Sequence, residues 1–339
     1  MKIAIVGAGA IGGYVGAKLA LAGEDVTFMA RNANLDAIRR NGIKLVGRDG
    51  TEQWARDVTA SSDYAQTGPQ DVVIVATKAH QVATVARDLG KLFGERTVIV
   101  TMQNGIPFWY FHNHGGALAG TRISSVDPDG VVSASIPAER IIGCVVYPAT
   151  ELIGPGIVRH IEGDRFPLGE LDGSDSERVQ RVAAAFVRGG LKAPVLPDIR
   201  AEIWLKLWGN LTFNPISALS RATLVDICRD PGTRKLAASM MAEAQAVAMK
   251  LGVGFRVSIE QRIAGAERVG KHKTSMLQDV EAGREPEIDA LVGSVIELAR
   301  LTDTPTPHID SVHALVQLLA GTMVADRRQA SVAEPAPQH

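Results

Sequence analysis

"KIAIVGAGAIGG", residues 2–13, runs from five residues fit for a buried strand straight into a glycine-rich turn. A helical pattern follows over residues 11–22. The glycines fall at Gly7, Gly9 and Gly12, the spacing G-x-G-x-x-G. The bare spacing is a weak signal. Between a strand and a helix it is a strong one, because each glycine then has a task. The first permits the tight turn, the second lets a pyrophosphate approach the backbone, and the third lets helix and strand pack closely. The helix start, Ala10–Ile11–Gly12, supplies partial positive charge to the phosphates. A dinucleotide held at Gly7, Gly9, Ala10, Ile11 and Gly12 is the expectation.

Outward from this turn, "DVTFMA" (25–30), "DVVIVAT" (71–77) and "TVIVTM" (97–102) are apolar runs separated by helical segments. That is the pattern of a parallel sheet covered on both faces. The loop "FHNHGGALAG" (111–120) follows, and then "RIIGCVVYPA" (140–149) and "GIVRHIE" (156–162), which suggest antiparallel additions. A helix at about 176–188 and the strand-like "APVLP" (193–197) close this half. From Asp198 the periodicity is helical almost throughout: 198–213, 217–228, 231–251, 256–269, 275–282, 286–301 and 308–323. The expected organisation is an α/β Rossmann-like domain over 1–197 and an all-helical domain over 198–325. The polar, Pro- and Ala-rich tail 326–339 is expected to be disordered.

Composition narrows the partners. The 339 residues hold 36 Lys and Arg against 37 Asp and Glu, so no global field points to nucleic acid or an anionic membrane. No run reaches the ~18 apolar residues of a membrane span. The first residues are too short and too interrupted by glycine for a signal peptide. Cys144 and Cys228, far apart and in apolar surroundings, read as buried thiols, and the expected location is the cytoplasm. His112 and His114 lack both the i, i+4 spacing of a helical zinc pair and a neighbouring Cys or carboxylate cluster, so no metal is expected.

The end of the second strand selects the cofactor. An NAD enzyme places Asp or Glu there, to accept from the ribose 2′-hydroxyl. This chain reads "TFMARN", with Arg31 where a 2′-phosphate would lie, and a guanidinium suits phosphate by charge and geometry. NADP(H) is therefore expected over NAD. Lys78, at the edge of the next strand, faces the same crevice and is either a phosphate ligand or an ordinary solvated lysine. Asn104 and Gly105, in "MQNG", end a further parallel strand. They line the crevice where open α/β sheets bind ligands, or form a simple turn.

In the helical half, Lys206, Asn210 and Asn214 fall within about 80° on a helical wheel. They are surrounded by Ile203, Trp204, Leu205, Leu207, Trp208, Leu211 and Phe213. A solvent face is usually wide and rich in Glu, Lys, Arg and Gln, whereas this stripe is narrow and holds two poor helix formers. Further on, "KTSMLQDVEAGREPEID" (273–289) reads as a helix opened by a Ser275–Gln278 capping box and ended at Gly283. Pro286 then suits the first turn of another helix, with Glu287 beside it. A serine hydroxyl near first-turn amides is a place for a carboxylate. Glu287 also fits plain complementarity to the helix dipole.

The ordered set "GAGAIGGYVGAKLALAG", "MQNG", "WLKLWGNLTFNPISAL" and "KTSMLQDVEAGREPEID" resembles the ketopantoate reductase (2-dehydropantoate 2-reductase) family over nearly the whole chain. The resemblance implies a dinucleotide-binding N-terminal domain, a helical C-terminal domain and an active site between them. It makes Lys206 the catalytic lysine and Asn104 the neighbour that positions it and the nicotinamide. It makes Asn210 and Asn214 substrate-side asparagines, Ser275 the carboxylate-binding serine, and Glu287 the glutamate that engages the substrate hydroxyl. The implied reaction is NADPH-dependent reduction of 2-dehydropantoate to (R)-pantoate, a step toward pantothenate and coenzyme A. Two departures touch the substrate side: His272 stands where some members carry asparagine, and a further asparagine is missing near Arg221–Leu224. A relative acting on another branched or aromatic 2-oxo acid to give a D-2-hydroxy acid is the nearer alternative, and "IPFWYFHNH" (106–114) would suit a bulkier substrate. A non-catalytic NADP(H)-sensing protein is the more distant one. The expected partner is a small 2-oxo acid, with a homodimer left open.

Overall fold

The computed structural model describes residues 1–333, with side chains described through 326. The opening run forms strand β1 (Lys2–Val6), whose last four residues are fully buried. It leads through the glycine turn into helix α1 (Ala10–Leu21). Strands β2 (Asp25–Met29), β5 (Val58–Ser61), β6 (Gln70–Val75), β7 (Phe93–Thr101) and β8 (Ile141–Cys144) join β1 in one sheet, closed by β11 (Leu168–Glu170). Its order is β11-β8-β7-β6-β1-β2-β5. All neighbours are parallel except β11 on β8. The order of strand addition reverses at β1, because β2 lies on one side of β1 and β6 on the other. In open α/β sheets the ligand crevice lies at that point, beyond the strands' C-terminal ends.

Helices α2 (Asn32–Asn41), α3 (Tyr64–Thr67), α4 (Val82–Leu89), α5 (Val131–Ser135) and α6 (Glu177–Arg188) complete this unit. Its core joins Ile5, Phe28, Ile74 and Val100 to Leu19 and Phe186. One expectation needs correction and another holds in part. "RIIGCVVYPA" is not an antiparallel addition, since β8 extends the parallel sheet beside β7. "GIVRHIE" becomes β10 (Ile157–Glu162), antiparallel to β9 (Ala149–Gly154) but also parallel to β3 (Ile43–Val46). With β4 (Glu52–Ala55) these strands form a separate sheet of order β4-β3-β10-β9. "APVLP" makes only an isolated bridge, Leu168 to Val195.

The chain divides into a unit Met1–Glu202 and a unit from Ile203 onward, and the division lies inside helix α7 (Ile199–Ser220). The second unit holds α8 (Leu224–Arg229), α9 (Pro231–Lys250), α10 (Ile259–Val269), α11 (Ser275–Glu281), α12 (Ser294–Leu301) and α13 (Pro307–Ala333). Helix α7 runs on past residue 213, although Pro215 removes one backbone donor. Burial of Phe213, Ile216 and Ala218 holds the helix together through that defect. It ends where Arg221 takes φ 63°, and Thr223 with Asp226 then forms the capping box of the short α8. Helix α13 continues beyond residue 325 to Ala333, and the rest of the tail, 334–339, lies outside the described residues. No helix among the described residues is long and apolar enough to cross a membrane.

Candidate active site

The turn after β1 meets the demands of a phosphate cradle. Gly7 has φ 101°, a left-handed conformation that disfavours side chains. A Cβ on Gly12 would lie 2.0 Å from the Gly7 carbonyl oxygen, whereas one on Gly9 would meet nothing within 4 Å. The first and third glycines are thus required by the protein itself, and the second faces open space. A cavity of about 360 Å³ adjoins the turn, lined by Gly7, Gly9, Arg31, Asn34, Tyr64 and Thr77 among others.

Arg31 caps α2 with its backbone alone, and no hydrogen bond or ion pair among the described residues occupies its guanidinium. Burial, and secondarily Asp88, pushes the Tyr64 phenol up to about 12, so it stays a neutral donor at neutral pH. Thr77 Oγ1 is buried without a hydrogen-bond partner beside Gly7. An orphaned hydroxyl costs about 1–3 kcal/mol, so a polar ligand in the cavity would relieve it. The open face at Gly9, the orphaned Thr77 hydroxyl and the available Arg31 cation together fit a phosphorylated dinucleotide. Ala10 and Ile11 lie in the first turn of α1, where amides lack intrahelical partners.

These observations separate two glycine variants. Gly12→Ala forces a methyl against backbone and should cost about 1–3 kcal/mol or more, lowering Tm by several degrees. Gly9→Ala should leave Tm within about 1 °C, because it fills open space, yet weaken NADPH binding ~10-fold or more by occupying the phosphate's place. Thermal melts and a fluorescence titration with NADPH read both effects. A Gly9 variant that binds normally would remove the cradle.

Two residues here carry no signal in the sequence. Asn34 donates to the Ala8 carbonyl and accepts from the Gly156 N–H at 2.7 Å, tying the glycine turn to β10's hairpin. Gln103 donates to the carbonyls of Val75 and Thr77 at 2.9 and 3.0 Å. Through Gln103 the segment carrying Asn104 is joined to the segment ending β6, where half-buried Lys78 follows Thr77. Asn104, also half-buried, lies three residues beyond the end of β7.

In the helical unit, Lys206, Asn210 and Asn214 lie at i, i+4 and i+8 of α7 and form one stripe. Trp204, Trp208 and Leu211 are buried on the other sides, and the Trp208 indole donates to the Met241 carbonyl at 2.7 Å. Lys206 and Asn210 are half-buried and Asn214 is 5% exposed. Asn214 Nδ2 lies 3.4 Å from Ser275 Oγ. The cap of α11 differs from expectation: Thr274, not Ser275, accepts from the Leu277 N–H at 3.3 Å, and Ser275 is the first helical residue. Its hydroxyl is thereby released from capping and faces Asn214. Glu287 also differs, since it precedes the first helical residue, Ile288, and is outside any first turn. A π-helical turn, Asp289–Gly293, follows at once.

Known proteins resemble this chain in both of its parts. Residues 3–173 match the family model "Ketopantoate reductase PanE/ApbA", and residues 198–320 match its C-terminal counterpart. A 2-dehydropantoate 2-reductase of Mesorhizobium japonicum is 55% identical over 321 residues, covering 94% of this chain and 98% of that protein. A Ralstonia solanacearum protein assigned as a ketopantoate reductase superposes with a TM-score of 0.91 at 43% identity, covering 95% of this chain and 98% of that one. The 2-dehydropantoate 2-reductase of Geobacter metallireducens gives 0.82 at 28% identity, covering 94% and 99%. Both halves of the sequence are matched, in order, by one family and by a relative more than half identical, and the chain belongs to the ketopantoate reductase family.

Proposed function

We propose that this protein reduces 2-dehydropantoate to (R)-pantoate with NADPH, in the cytoplasm. The observation that carries the substrate side is the α7 stripe, an amine and two amides running to a serine hydroxyl that is free of capping duty. The glycine turn, Arg31 and Lys78 would hold NADPH, which would supply the hydride for the C2 carbonyl. Lys206, as an ammonium, hydrogen-bonds the carbonyl oxygen as negative charge develops and then gives it a proton. Asn104 orients the lysine and the nicotinamide. Ser275 and the amides of the first turn of α11 hold the C1 carboxylate, with Asn214 fixing the serine and Asn210 lying between Asn214 and the lysine. Glu287 accepts from the C4 hydroxyl. NADPH oxidation measured with ketopantoate, 2-oxoisovalerate and an aromatic 2-oxo acid tests the reading. Ketopantoate should give the highest kcat/KM, and a clear preference for the aromatic acid would overturn the substrate.

The cofactor preference has its own test. Wild-type kcat/KM should favour NADPH over NADH. Arg31→Ala should cost ~10–100-fold with NADPH and little with NADH, the worth of a charge-assisted hydrogen bond to phosphate. Equal wild-type efficiencies with the two cofactors would remove Arg31 from the role.

A further inference from the structure

Arg200 stands in the first turn of α7, six residues before Lys206. Among the described residues no carboxylate hydrogen-bonds it. Its Nε donates to the Tyr110 carbonyl at 2.8 Å, Nη1 to the Leu171 carbonyl at 2.7 Å, and Nη2 to the His112 carbonyl. Its guanidinium also lies 5.8 Å from the centroid of the Tyr110 ring. One planar fork thus holds two segments, the loop that follows Asn104 and the turn after β11. Burial lowers its pKa from the ordinary value, but arginine remains charged at any working pH.

The same helical turn is fixed at two further points. Glu202 accepts from the Tyr147 hydroxyl at 2.8 Å and is ion-paired with Arg165. The side chains of Ile199 and Trp109 close over Gly143 of β8, and the Trp109 indole donates to Thr101 Oγ1 at 2.9 Å. Thr101 ends β7, and Asn104 follows it three residues later. The loop after Asn104 and the root of the lysine-bearing helix are therefore fastened to each other and to the sheet.

We infer that Arg200 is a positioning residue for the reductase reaction, clamping the Asn104 loop to the root of the helix that carries Lys206. A rigid α-helix carries any tilt at its root along its length, about 9 Å over six residues. A displacement near 1 Å at a reacting group is enough to cost ~10²-fold in rate. Arginine is required because its fork spans three carbonyls in fixed directions. A lysine, a compact point charge, can serve fewer of them with weaker direction.

The kinetic part rests on the reductase reading, so the test has an arm that needs no substrate. Hydrogen exchange of backbone amides 105–120 is followed in wild type, Arg200→Lys and Arg200→Met, beside kcat per NADPH-binding site. Exchange in that loop should rise ~10-fold or more in both variants while the strands of the main sheet stay protected. Per NADPH-binding site, kcat should fall ~10-fold for the lysine variant and ~30–100-fold for the methionine variant, with NADPH Kd within about 2-fold. A rivet with only a structural role would lower Tm and the fraction of binding sites, leaving kcat per site in place, and that result overturns the inference. Unchanged loop exchange overturns it too. If Arg200→Met fails to fold, Arg200→Lys decides alone. If wild type reduces no 2-oxo acid, the reductase reading fails and the positioning role falls with it, while the exchange arm still judges the clamp.

Discussion

Replacing Lys206 with alanine should lower kcat ~10²–10⁴-fold and leave NADPH affinity nearly intact, the loss expected for a positioned proton donor. The two readouts separate because of where the residues lie. The lysine belongs to α7 in the helical unit, whereas the phosphate cradle is built on β1, α1 and β6 of the other unit. Truncation to alanine also leaves the fold's support in place, since the burial that anchors α7 comes from Trp204, Trp208 and Leu211 on other faces. Far-ultraviolet spectra and Tm should therefore match wild type closely. Steady-state rates with ketopantoate, beside a fluorescence titration with NADPH, make the measurement. Turnover within a few-fold of wild type would mean that the stripe is structural and that another acid protonates the product.

How far the sequence shows this site depends on the kind of contact involved. The parallel sheet is legible because β1, β6 and β7 are apolar on both faces, a property of the residues themselves. The separate sheet is not, because its strands β3 and β4 have four residues each and its defining parallel pair joins positions more than a hundred residues apart. The lysine stripe is legible because polar residues at helical spacing stand out in an apolar segment. The cap of α11 is not, because Thr274 and Ser275 are adjacent hydroxyls with equal local claims. What separates them is Asn214, which comes from a different helix. Arg200 is the extreme case. Its three acceptors are backbone carbonyls, which every residue possesses, so no residue type in the sequence marks them.

Glu287 has a larger consequence than its local pattern suggests. Beside a proline, it reads as a first-turn acid that complements a helix dipole. In the folded chain Glu287 comes just before Ile288, still at the N-terminal edge of that helix, and the helix beyond opens with a π-turn. Such turns, with one residue more than the α-helical repeat, recur at functional sites. A carboxylate that accepts the C4 hydroxyl can distinguish ketopantoate from an acid that lacks that group. Glu287→Ala should therefore cost on the order of 2–4 kcal/mol in kcat/KM with ketopantoate, roughly 30–1,000-fold. With 2-oxoisovalerate, which offers nothing to bind, the same variant should change little. The four rates, wild type and variant on each acid, form a cycle in which only the difference of differences reports recognition. Equal losses on both acids would show that Glu287 organises the site without reading the substrate. A wild type that prefers 2-oxoisovalerate would keep the hydride chemistry and change the substrate, with His272, where some relatives carry asparagine, as the first residue to exchange. A selective loss on ketopantoate identifies the C4 hydroxyl as the group this site is built to read, because a site that hydrogen-bonds a substrate hydroxyl rejects an acid lacking it more strongly than a missing methyl group can achieve.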